Sequence, residues 1–138
     1  MFEEYDLAQR KSIIALLFKL AKSDDSVSNI EKLYLRDIAN SIGIDSLSID
    51  EIIQNPEAYP LKVPLNERER MTILYYLLFM MRVDGRIEKG EEKLIYTASF
   101  RLGFNEKLTE DLIGVMKTYL NKEIPPDLML TLVKKYLN

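Results

Sequence analysis

The chain contains no cysteine and no histidine among its 138 residues. With thiolate and imidazole both missing, structural zinc sites, disulfides, cysteine nucleophiles and histidine-based triads are excluded. Any bound metal must be a hard cation such as calcium, magnesium or manganese, held by carboxylates, carbonyls and water. Any catalysis must use carboxylates, Lys, Tyr, Arg or Ser. Long apolar runs are lacking as well. The longest, Ile73 to Met81, has nine residues, far short of the roughly 20 needed to cross a bilayer, so no membrane insertion is expected. The first residues, Met1-Phe2-Glu3-Glu4-Tyr5-Asp6, carry acid where a secretory signal carries positive charge, and a cytoplasmic protein is expected. There is no basic excess either: 19 Lys plus Arg stand against 22 Asp plus Glu, a formal net charge of −3. Neutralising a phosphate backbone needs the opposite balance, so nucleic acid is not an expected partner.

What is present is globular composition, with 47% hydrophobic and 30% charged residues. A chain of this length forms one domain, here residues 1–138, burying about two-thirds of its unfolded surface. Apolar residues recur at helical spacing, as in Ile13, Ile14, Leu16, Leu17, Leu20 and Ala21, and strand alternation is nowhere sustained. The spacing predicts helices near 5–23, 28–42, 48–54, 66–83, 88–102, 109–121 and 126–137. Ser28, Ser48 and Asn66 each precede a Glu by three residues and are expected to open helices as capping boxes. Pro56, Pro60 and Pro64 mark a linker over residues 55–65 that cannot be helical. Pro125 is expected at or near the first turn of a last amphipathic helix, which closes the bundle.

The chain repeats itself at a spacing of sixty residues. Asp24 falls on Asp84, Val27 on Ile87, Glu31 on Glu91, Leu35 on Ile95 and Gly43 on Gly103. Identities number only five between 13–44 and 73–104, yet turn, cap and apolar phase agree without a gap. Each half, about 11–54 and 71–114, reads as a long helix, an acidic turn, a second helix ending at Gly and a shorter third helix. Since one such hairpin cannot bury its apolar faces alone, the expected fold is an all-α bundle of about seven helices, built from two pseudo-two-fold-related repeats and closed by the helix at 126–137. Residues 73–81 are apolar around nearly the whole helix and belong at its centre, with 11–22 as their counterpart. Phe79, Met80 and Met81 fit core packing, or an adaptable Met-rich binding surface. Tyr75-Tyr76 fit packing better than acid-base chemistry, and Lys134-Lys135 and Glu3-Glu4 fit solvated helix faces.

The turn Asp84-Gly85-Arg86-Ile87, followed by Glu91, fits the back half of a calcium-binding EF-hand loop, with Gly85 at position six and Glu91 at twelve. Positions one and three then fall on Met80 and Arg82, and in the first half on Leu20 and Lys22. None of these supplies a side-chain oxygen, so a standard EF-hand is rejected. Without any ligand, Gly85 is a left-handed residue ending the central helix, with Asp25 in the matching place. Glu31 and Glu91 cap the following helices, and Val27 and Ile87 are buried staples. This leaves an excess of acid, Asp24, Asp25 and Glu31 in one turn and Asp84, Glu88, Glu91 and Glu92 in the other, whose repulsion a cation would relieve.

The stretches "MMRVDGRIEKGEEKLIYTASFRLGF" and "LAKSDDSVSNIEKLYLRDIANSIGI" resemble the TerB-like domains associated with bacterial tellurite resistance, with Asp25 in place of Gly in the second. The resemblance implies an all-helical bundle, a stress-related role and a candidate low-affinity calcium or magnesium site at Asp24, Glu31, Asp84 and Glu91. Related domains occur in a J-domain co-chaperone, as interaction modules. The leading expectation is therefore a non-enzymatic binding module with a candidate cation site, requiring no cofactor and engaging another protein. The alternatives are a metal-free adaptor or co-chaperone-type scaffold and, third, a carboxylate-dependent hydrolase, for which no nucleophile, base and oxyanion donor can be assembled.

Overall fold

Two helices, α1 (Leu7–Ala21) and α4 (Glu67–Arg82), pack against each other and against most of the remaining elements. The computed structural model describes residues 7–24 and 26–136, apart from the side chain of Asp24. A 3₁₀ turn, Lys22–Asp24, follows α1, and then come α2 (Asn29–Ser41), α3 (Ser46–Gln54) and a second 3₁₀ turn, Pro56–Ala58. After α4 come α5 (Lys89–Arg101), α6 (Glu106–Thr118) and α7 (Leu128–Tyr136). Among the described residues there is no strand, and the fold is an all-helical bundle.

The breadth of the apolar faces explains this arrangement. Ile13, Ile14, Leu17 and Leu20 on α1 meet Ile73, Leu74, Leu77 and Leu78 on α4 in one cluster, each at most 1% exposed. Met80 and Met81 are wholly buried in the same cluster, so they are core and not an adaptable surface. Tyr75, Tyr76 and Phe79 pack around it half-buried. Each fully buried Leu contributes about 1.5–3 kcal/mol.

Helix boundaries follow from local chemistry. α2 and α5 begin at Asn29 and Lys89 and end at Ser41 and Arg101, sixty residues apart at both ends. Both end in the same way. Gly43 and Gly103 have φ of 78° and 86°. Beyond them, the Ile44 and Phe104 amides reach back to the carbonyls of Ala39 and Ser99 at 2.8 and 3.0 Å. This is the six-to-one bond of a Schellman motif, with the following apolar residue buried.

Several expectations need correction. α3 opens at Asp45, whose Oδ1 accepts from the Ser48 amide at 2.8 Å, so Ser48 lies inside the helix and does not cap it. α6 opens at Asn105, whose Oδ1 accepts from Lys107 and Leu108, and it ends at Thr118, three residues earlier at each end than the periodicity suggested. The proline segment is not wholly irregular, because Pro56 opens a 3₁₀ turn. The segment is pinned to the bundle where Lys62 N donates to Ser12 Oγ at 3.2 Å and Arg101 donates to Leu61 O at 3.3 Å. α7 starts two residues past Pro126 and buries no side chain fully. It lies on α6, with Leu128, Met129, Leu132 and Val133 half-buried and Tyr136 Oη donating to Asp111 at 2.7 Å. The expectations for Glu3, Glu4 and Asp25 fall outside the described residues.

Candidate functional site

The acidic turns are built from the ends of α1 and α4 and the starts of α2 and α5. The Glu31 carboxylate is only 3% exposed and folds back on its own helix start. It accepts from the Ser28 amide at 2.9 Å while Ser28 Oγ accepts from the Glu31 amide at 3.1 Å, a reciprocal capping box. Glu91, 4% exposed, accepts from the Glu88 amide at 2.9 Å in the same way. Both buried carboxylates sit where amides are free and the helix dipole favours negative charge.

Asp84 is held differently. Its Oδ1 accepts from the Arg86 amide at 3.2 Å and its Oδ2 lies 3.7 Å from the Arg86 guanidinium. The Arg86 charge thus answers Asp84 locally, and Lys117 answers Glu92 at 2.8 Å. Gly85 has a φ of 81°, the left-handed residue expected after the central helix. Val27 and Ile87 are half-buried, not fully buried staples.

The two turns do meet. A Cβ at Gly90 would lie 3.3 Å from the Ser23 carbonyl oxygen, so the first turn of α5 packs directly on the 3₁₀ turn that contains Asp24. Of the four candidate ligands, Glu31 and Glu91 cap their own helices, Asp84 pairs with Arg86, and the Asp24 side chain lies outside the described set. Among the described residues, no three acids cluster as a ligand set for a metal ion.

Three tyrosines near the centre of the bundle, Tyr34, Tyr75 and Tyr76, are pushed toward the neutral phenol. Burial, and then the neighbouring Tyr76, push Tyr34 well above the usual phenol range. Burial also raises Tyr75 and Tyr76. Tyr34 Oη donates to the Tyr76 carbonyl at 3.4 Å.

The largest concave feature described is one that residue spacing alone did not reveal. A half-open cleft of about 460 Å³ lies where α1, α2 and α3 meet. Phe18, Leu35 and Ile49 form its floor, with Val27 and Ile53 half-buried beside them. Ser26, Lys22, Lys32 and Arg36 stand exposed around the mouth. α3 stops at Gln54, whereas α6, starting sixty residues on, continues to Thr118. Lys117 in that extra turn clasps Glu92 of α5, the position sixty residues beyond Lys32. Pro56 is the sequence signal that α3 must stop. A second hollow, of about 350 Å³, has Tyr96, Phe104 and the exposed Phe100 on its wall, with Glu106 beside them. Burial raises the Tyr96 phenol there, helped by Glu110, Glu92 and Glu106 and opposed by Lys117.

No helix among the described residues is long and apolar enough to cross a membrane. No family model, curated protein or solved structure matches this chain.

Proposed function

We propose that this protein is a non-enzymatic, TerB-like helical binding module of the cytoplasm, stress-related in role, and that it holds another protein in the cleft between α1, α2 and α3. The observation that carries this reading is the cleft itself. It is concave, its floor is apolar, its mouth is polar, and its volume lies in the range of ligand sites. Protonated phenols and helix-capping carboxylates are groups occupied with packing and capping, which supports binding over hydrolysis. The equal boundaries of α2 and α5 support two hairpins related by a near-two-fold rotation, one of which keeps its groove open.

Ser26 is exposed at the mouth, and Ser26→Trp would fill the cleft without touching the core. Affinity capture from native lysate with the parent and with this variant tests the reading, provided both melt alike. A partner retained by the parent and lost by Ser26→Trp is expected. Equal capture by both would remove the cleft as the working face.

A second reading is a low-affinity calcium or magnesium site where the acidic turns converge. The approach of Gly90 to Ser23 favours it, because it brings the turn of Asp24 against the helix start that carries Glu91. Calorimetric titration with each cation tests it.

A further inference from the structure

We infer that the cleft recognises an acidic amphipathic helix, whose apolar side chains enter the floor while its carboxylates pair with Lys22, Lys32 and Arg36. This rests on the proposed docking role of the cleft and adds the chemistry of the partner. Although the whole chain carries a formal charge of −3, the described charged side chains lining the cleft are all cationic. Arg36 is shared with Asp50 at 3.6 Å, both side chains being exposed. Lys22 and Lys32 form no ion pair among the described residues. Lys22 Nζ instead stands 6.0 Å from the centre of the Phe18 ring, over the apolar floor. An incoming carboxylate at the mouth would therefore meet two ammonium groups that are without an ion pair among the described residues, one of them over the Phe18 ring, and one exposed guanidinium shared with Asp50.

The form of the occupant is argued from the other half of the molecule. There α6 already carries an amphipathic helix, α7, which lays Leu128, Met129, Leu132 and Val133 half-buried on the bundle. Among the described residues, α3 has only α1, α2 and the short turn Pro56–Ala58 as neighbours. A half-open apolar cleft whose floor draws a residue from each of three helices, Phe18 of α1, Leu35 of α2 and Ile49 of α3, is a shape into which a further helix packs, reading out as apolar anchors at i, i+3 or i+4, and i+7. The half-open mouth favours this occupant over a free aliphatic carboxylate, which a deeper pocket would enclose.

Selection of a random peptide-display library against the folded full chain tests the inference, with Ser26→Trp as the counter-selection. Peptides enriched on the parent and lost on Ser26→Trp are expected to carry helical apolar spacing flanked by Asp and Glu. Binding of the best peptide should weaken about tenfold in the double variant Lys22→Glu/Lys32→Glu, as expected for two exposed ion pairs replaced by repulsion. Both substitutions lie on exposed positions, and unchanged melting would show that the fold is kept. Cleft-dependent peptides that are basic or neutral, or a double variant that binds equally well, would overturn the acidic specificity and leave the docking role intact. Decanoate binding at the cleft with no cleft-dependent peptide would overturn both.

Discussion

Arg82 and Tyr119 are joined by a hydrogen bond of 2.6 Å, from the guanidinium Nη2 to the Tyr119 carbonyl oxygen, across 37 positions of chain. The same nitrogen reaches the carbonyls of Leu120 at 3.4 Å and Lys122 at 3.0 Å. In an EF-hand register, Arg82 stands where an oxygen ligand is required. Here it satisfies carbonyls left over at the end of α6, tying that end to the last turn of α4. Arg82→Met keeps much of the length and removes the donors, so it should lower unfolding free energy by about 1.5–3 kcal/mol, the worth of a hydrogen bond to a charged group. Arg82→Lys should recover part of the loss. Urea unfolding of the three proteins checks this.

Glu31 and Ser28 cap α2 reciprocally, and removal of either leaves an amide without its partner. Glu31→Ala should cost about 0.5–2 kcal/mol, with Glu31→Gln, which retains an acceptor, costing less. Because one box holds both residues, the double variant Ser28→Ala/Glu31→Ala should lose less than the sum of the single losses. Thermal melts of the four proteins measure the coupling.

Long periodic helices were legible because burial on α1 and α4 extends around most of each helix, and the Gly43 and Gly103 stops were legible because only a left-handed residue closes the Schellman turn there. The caps at Asp45 and Asn105 lack the Glu three residues on that marks a capping box, with Ser48 and Leu108 at those places. An Asx side chain caps by accepting from the backbone alone, and the Ser48–Glu51 pattern falls inside the helix. Of the candidate site, the local partners of Glu31 and Glu91 could be read from spacing. The pairing of Glu92 with Lys117 could not, because it joins α5 to the last turn of α6 across 25 positions and depends on how far that helix runs.

Asp45 gives α3 a pH dependence. Its carboxyl is held below the usual value mainly by the hydrogen bond from the Ser48 amide, and then by the Ser48 side chain. A depressed folded pKa means the stabilisation is fully present above the unfolded value of about 3.9 and is lost as pH falls through the lower folded value. Asp45→Asn still caps but cannot ionise. Parent stability should therefore fall relative to the variant as pH drops from 5 to below 3, and the difference should be constant from 5 to 7. Paired urea titrations across that range read the effect, and a difference independent of pH would show that Asp45 contributes no charge-dependent capping.

Gly85→Val should destabilise the protein by about 1–2 kcal/mol, the cost of forcing a β-branched residue into left-handed backbone. The new Cβ would meet only Asn121 Oδ1, at an ordinary 3.6 Å, so the cost is in the backbone at φ 81° and not in a clash. Gly85→Asn, which tolerates that conformation, should lose less. Equal melting temperatures for the parent and Gly85→Val would contradict the turn geometry.

The acidic turns give opposite results with and without a cation site. If calcium or magnesium binds where Ser23 and Gly90 bring the turns together, it binds the folded state preferentially. It must then raise stability by RT ln(1 + [L]/Kd), about 2.7 kcal/mol at a hundredfold excess over Kd. Asp84→Asn should shrink that gain because the ligand charge is lost. The metal-free variant should change little, because Asn keeps an oxygen to accept from the Arg86 amide and the Arg86 guanidinium lost as a partner is itself largely exposed, 3.7 Å away. Glu91→Ala separates the roles of the two residues. It should lose about 0.5–2 kcal/mol in chelator alone, because the Glu88 amide loses its acceptor whether or not a metal is present. Thermal melts of the parent, Asp84→Asn and Glu91→Ala, in chelator and then in millimolar calcium or magnesium, are expected to show a metal-dependent rise in the parent that is smaller in Asp84→Asn. Identical parent melts under all these conditions would limit the acidic turns to capping, with Glu91→Ala still destabilised.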